Sequence, residues 1–106
     1  IPYWDFDSPE IPNDVRDASA AAIMACGLIE LSGYVDAHKS KRYLAVAENM
    51  IRSLASDEYL AEEGQVYGFL LKHSTGFKLR GSEVDVPLKY ADYYFLEALM
   101  RWAALK

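Results

Sequence analysis

An all-α fold of three helices is predicted by three observations. Three separate runs carry apolar residues at helical spacing. Each run begins behind an N-cap candidate or a proline suited to a first turn. The runs also alternate in character, from apolar nearly all round, to one-faced, to apolar on more than one side.

The opening stretch, Ile1 to Asp14, holds three prolines, three aspartates and three aromatics with no steady period, which predicts an ordered loop. A first helix follows from about Val15 to Tyr34, behind Asp14 or Asp17, and stops near Gly33. Ala18, Ala21, Ala22, Ile23, Cys26, Leu28, Ile29 and Leu31 cannot be confined to one stripe, so this helix should be covered on most sides. The second helix, roughly Lys41 to Ala55 behind the N-cap candidate Ser40, puts Tyr43, Leu44, Ala47, Met50, Ile51 and Leu54 on one face. Lys41, Glu48 and Arg52 lie elsewhere, as expected of an outer, half-solvated helix. Residues 56–88, punctuated by Gly64, Gly68, Gly76 and Gly81, read as a long loop with one short strand at Tyr67 to Lys72. Loops of that length in compact domains are usually functional. The third helix opens near Pro87 and runs to about Leu105.

A helix antiparallel to both of its neighbours makes those neighbours parallel. The first and third helices should therefore start at the same end, and the loops before them should converge there. Helix N-termini present unsatisfied N–H groups and suit an anionic ligand. Two helices apolar on several sides need more cover than one outer helix supplies, which predicts a fragment, an oligomer, or both.

Hydrophobic residues make up 52% of the chain and charged residues 25%, which excludes wholesale disorder. The net charge of -5 argues against nucleic-acid and membrane-surface partners, which are held by basic faces. Cys26, the lone cysteine, cannot form an internal disulfide and has no neighbour at metal-ligand spacing. The opening Ile1-Pro2-Tyr3-Trp4 carries no visible targeting signal, so cytoplasmic and periplasmic locations both stay open.

The most site-like stretch is Gly64 to Ser82. It holds Lys72, Lys78 and Arg80 without one acidic residue, and His73, Ser74 and Thr75 add donors and acceptors. An equally weighted alternative is a solvated turn whose His73 and Ser74 only satisfy loop backbone. The second candidate is Tyr3-Trp4-Asp5-Phe6-Asp7, where rings beside carboxylates suit a sugar-stacking wall. Its plainer reading is packing by Trp4 or Phe6 with Asp7 capping a turn. Tyr90 and Tyr94, four residues apart, read as structural. No phosphate loop, serine elbow or metal motif is present.

Three strings, YWDFDSPEIPNDVRDASAAAI, LLKHSTGFK and GSEVDVPLKYADYYFLEALMRW, together resemble the C-terminal section of the unsaturated glucuronyl hydrolases. The resemblance runs over the whole chain. It implies that residues 1–106 are the C-terminal segment of a single glycosidase domain, three helices of an (α/α)6 toroid whose inner helices line a pocket. It also implies an enzyme that removes 4,5-unsaturated glucuronic acid from the non-reducing end of lyase-generated oligosaccharides, glycosaminoglycan fragments among them. Such enzymes protonate and hydrate the vinyl ether double bond, and the product then rearranges and releases the next sugar.

The family's two functional aspartates lie in upstream segments, one after a histidine and one before a Met-Asn pair. Neither string occurs here, so Asp5 and Asp17 should not inherit a catalytic role, and the chain alone should be inactive. The resemblance implies substrate binding by the C-terminal loop. Lys78 stands where some members place a sulfate-binding lysine, while Gly76 and His73 stand where they place serines. Tyr67 resembles a pocket tyrosine and Trp4 a pocket wall. The expected binding set is thus Trp4, Tyr67, His73, Ser74 and Lys78, with no metal or organic cofactor. The expected partners are an unsaturated uronide oligosaccharide and either the missing N-terminal portion or a second copy. Two rival readings are an unsaturated rhamnogalacturonyl hydrolase segment and a non-catalytic helical interaction module.

Overall fold

The computed structural model describes residues 1–7, 9–62, 69–75 and 85–105. Among these residues the regular elements are three helices, α1 (Ala18–Leu31), α2 (Ala37–Leu54) and α3 (Lys89–Ala104), so the all-α expectation holds.

Helix α1 begins where Asp17, in extended backbone, turns its carboxylate onto the Ser19 N–H. It ends at Leu31, with the Ser32 hydroxyl donating to the Ile29 carbonyl and the Ser32 N–H to that of Leu28. Helix α2 starts four residues before the expected position. Asp36 is its N-cap, accepting from the Lys39 N–H at 2.9 Å, and the Ser40 N–H already donates into the first turn. An aspartate caps as well as a serine, so the earlier of two competent caps wins. Helix α3 has Leu88 at its N-cap without a side-chain cap, which puts Pro87 just before the helix rather than in its first turn.

Of the expected strand at Tyr67 to Lys72, residues 67 and 68 lie outside the described residues. The remainder forms only an isolated bridge between Leu60 and Leu71. The reason is a competitor for the backbone: the Asp92 carboxylate, in the first turn of α3, accepts from the N–H groups of Leu70 and Leu71 at 2.8 and 3.0 Å. Those donors are then no longer available to extend a ladder. In the opening loop, Asp5 rather than Asp7 caps the turn, accepting from the Asp7 N–H at 2.9 Å, and Phe6 lies on the surface.

Helix α1 is the centre of the packing and touches both α2 and α3, which barely meet each other. Ala18, Ala21, Ala22 and Ala25 are fully buried, and their small side chains let both neighbours approach closely. One apolar cluster joins the start of α1, the end of α2 at Leu54 and the start of α3 at Ala91 and Phe95, with Tyr59, Leu71 and Leu88 closing over it. A second joins Cys26 and Ile29 to Ala47, Ile51 and Ala98 further along. Start therefore meets start between α1 and α3, and both run antiparallel to α2, as the helix order predicts.

Cover of α1 and α3 is incomplete, as expected where one outer helix serves both. Ile23 and Leu31 on α1, and Tyr93, Leu96 and Met100 on α3, are exposed, Met100 to 73%. No helix among the described residues is long and apolar enough to cross a membrane.

Candidate functional site

The loops before α1 and α3 meet at the shared helix-start end. The Ala18 N–H, one of the unsatisfied donors of α1, donates to the His73 carbonyl at 2.8 Å. Asp17 Oδ1 accepts from the Thr75 N–H at 3.1 Å, and Ser74 pairs with Val86 through two backbone hydrogen bonds of 2.9 Å. Segment 73–75 is thus fixed against the start of α1 on one side and against the approach to α3 on the other.

This junction walls an open cavity of about 850 Å³. One wall is the opening loop at Pro9 to Arg16, and the other is Glu58, Tyr59, His73 and Asp85. His73 Nδ1 lies 2.8 Å from Asp85 Oδ1, and its ring meets Tyr59 edge-on with centroids 5.8 Å apart. The Asp85 carboxylate orients the imidazole and sets which ring nitrogen carries the proton in the neutral form. Asp85 has φ 50, in the left-handed region that a non-glycine residue occupies only when its surroundings hold it there. Across from this pair, Arg16 stacks on the Tyr3 ring at 3.9 Å and donates to the Tyr3 hydroxyl and the Ile1 carbonyl. Burial, then the neighbouring Glu58 charge, push the Tyr59 phenol above its ordinary pKa, so it remains protonated and able to donate.

Among the described lining residues, the acids Glu10, Asp14, Glu58 and Asp85 outnumber Arg16 and His73. Carboxylates suit hydroxyl donors, and the arginine and histidine suit a ligand acid, so the lining matches a hydroxylated ligand that carries an anionic group. Of the cations in the acid-free loop, Lys78 and Arg80 lie outside the described residues. Lys72 donates to the Asp57 carbonyl at 2.6 Å and does not line the cavity.

Of the expected binding set, His73 lines the cavity. Ser74 beside it is fully buried, and its hydroxyl has no partner among the described residues. Trp4 is half-buried and reaches the site through a partner, its Nε1–H donating to Asp14 Oδ2 at 2.8 Å. Tyr67 and Lys78 lie outside the described residues. Sequence reasoning missed Tyr59, Asp85, Asp14 and Arg16, whose roles arise from contacts across 10 to 15 positions of chain. Among the described residues no cluster of three or more His, Cys, Asp or Glu side chains is arranged to hold a metal ion.

No protein-family profile matches the chain. An unsaturated glucuronyl hydrolase of Formosa agariphila is 46% identical over 101 residues, covering 95% of this chain and 24% of that protein. A crystal structure of an unsaturated glucuronyl hydrolase specific for heparin superposes with TM-score 0.95 at 50% identity, over 99% of this chain and 28% of the other. A variant of the Streptococcus agalactiae enzyme complexed with dGlcA-GalNAc6S superposes with TM-score 0.84 at 33% identity, over 96% of this chain and 27% of the other.

The three helices are therefore a section of a helical-toroid hydrolase fold. More particularly, the homologues of the chain are unsaturated glucuronyl hydrolases, and the chain spans about a quarter of their length.

Proposed function

We propose that this chain is the C-terminal segment of an unsaturated glucuronyl hydrolase, supplying one wall of the substrate pocket and none of the catalytic aspartates. The parent enzyme removes a 4,5-unsaturated glucuronic acid from lyase-generated glycosaminoglycan oligosaccharides by protonating and hydrating the vinyl ether. The observation that carries this reading is the near-complete correspondence of the chain, at 50% identity, to one section of the heparin-specific enzyme. The cavity at the helix starts supports it, since carboxylates there suit sugar hydroxyls and His73 and Arg16 suit a uronate carboxylate. In the same reading Lys78, together with Tyr67, contacts the sugar next to the unsaturated uronate, and Trp4 backs the opening loop.

The rest of the enzyme covers the apolar faces left open on α1 and α3. A protein of which this chain is about a quarter has the length to do so. The test compares the full-length protein with residues 1–106 alone on an unsaturated heparin or chondroitin disaccharide, following the ultraviolet absorbance of the double bond. The full-length protein should bleach the signal and the segment should not. A full-length protein inert on every unsaturated uronide, or a segment that turns over by itself, would overturn the proposal.

A further inference from the structure

We propose that Thr75 is a positioning residue for this site: its hydroxyl ties the Asp85–His73 pair on one wall of the cavity to Arg16 on the other. The inference rests on the functional reading above for its kinetics and on geometry alone for its structural readouts. Thr75 is only 5% exposed and makes no contribution to the cavity lining. Its Oγ1 nevertheless donates to the Arg16 carbonyl at 3.2 Å and accepts from the Asp85 N–H at 3.3 Å. Its own N–H is taken by Asp17 Oδ1, which fixes the residue from which the hydroxyl projects.

The two bonds of the hydroxyl act on different walls. On the Asp85 side, the N–H bond helps hold a residue at φ 50, and the orientation of its carboxylate depends on that backbone. The carboxylate in turn engages His73 Nδ1 at 2.8 Å, so a ligand in the cavity meets His73 through Nε2. On the other side, the Arg16 carbonyl is held where the chain enters α1. One buried hydroxyl outside the cavity lining thereby bonds both walls directly, in addition to the Ala18–His73, Asp17–Thr75 and Ser74–Val86 bonds that fix the segment. A valine at this position keeps the shape, removes both bonds and leaves the Asp85 N–H and the Arg16 carbonyl without this partner.

The experiment uses the full-length protein with Thr75→Val and Thr75→Ser. Thr75→Val should raise KM for the unsaturated disaccharide roughly threefold to tenfold with kcat within about twofold, because ground and transition states lose the same contact. Thr75→Ser, which keeps the hydroxyl, should return KM to near wild type. A valine variant with lowered thermal stability but unchanged KM, or a serine variant as impaired as the valine one, overturns the inference. Imidazole nitrogen chemical shifts need no substrate and separate this inference from the activity itself. His73 should show an Nδ1-protonated, carboxylate-bonded signature in wild type and Thr75→Ser that is lost in Thr75→Val, and an unchanged signature in Thr75→Val overturns the positioning role even if the enzyme proves to act on another substrate. Should the valine variant not fold, amide exchange in the wild type decides. The Asp85 N–H must exchange on the order of tenfold or more slower than an open loop amide, and free exchange there refutes the bond.

Discussion

Cys26 is 6% exposed on α1, with its thiol donating to the Tyr94 carbonyl at 3.3 Å, which fits the sequence expectation of a small packed side chain. Burial first, then the neighbouring Glu97 carboxylate, push its pKa from the ordinary 9.0 up to about 11. The unfolded chain releases this proton near 9 and the folded chain holds it to about 11. The stabilising contribution is therefore whole below pH 9 and drains away as pH rises towards 11. The raised Tyr59 phenol acts with the same sign, beginning from its ordinary 10.0. Melting temperature should fall across this alkaline window, and Cys26→Ala should flatten the first part of the slope in a series of thermal melts. An equal slope in the variant would show that Cys26 is not the group responsible. The packing of Cys26 was legible one residue at a time. The His73–Asp85 pair was not, because sequence spacing does not reveal which residues a long loop brings together, nor that position 85 adopts a left-handed backbone.

At the scale of the element, the existence and order of the helices followed from apolar spacing, and the convergence of the two loops followed from that order. The ends were harder, since Asp36 and Ser40 are both competent caps four residues apart. Asp36→Ala should cost about 1 kcal/mol in denaturant unfolding, as loss of an N-cap does. Ser40→Ala should stay within about 0.5 kcal/mol, the range of a substitution away from a special feature. A larger loss from Ser40→Ala than from Asp36→Ala would restore the later helix start. The expected strand was misread for a related reason. The apolar run from Phe69 to Leu71 says what a strand would bury, but not that an aspartate 21 to 22 residues later would take its N–H groups.

For the whole molecule, α1 and α3 were expected to be apolar on faces that one outer helix cannot cover, and Leu96 and Met100 are the plainest result. Residues 1–106 alone should self-associate in sedimentation velocity at micromolar concentrations, and Leu96→Glu with Met100→Glu should shift the population towards monomer. A wild-type segment that stays monomeric throughout would mean that this face tolerates water. The feature with the widest reach is the single carboxylate oxygen of Asp17. It accepts from Ser19 N, Ser19 Oγ and Thr75 N together, so the same atom begins a helix and latches a cavity wall. Fraying of the first turn and loosening of the wall then become one event with one free energy. Linkage is reciprocal, so any ligand that favours the closed wall must also quieten the helix end. Hydrogen exchange at Ala18 to Ala20, several residues from any bound sugar, should report occupancy of the cavity, like a bell rope pulled from the next room.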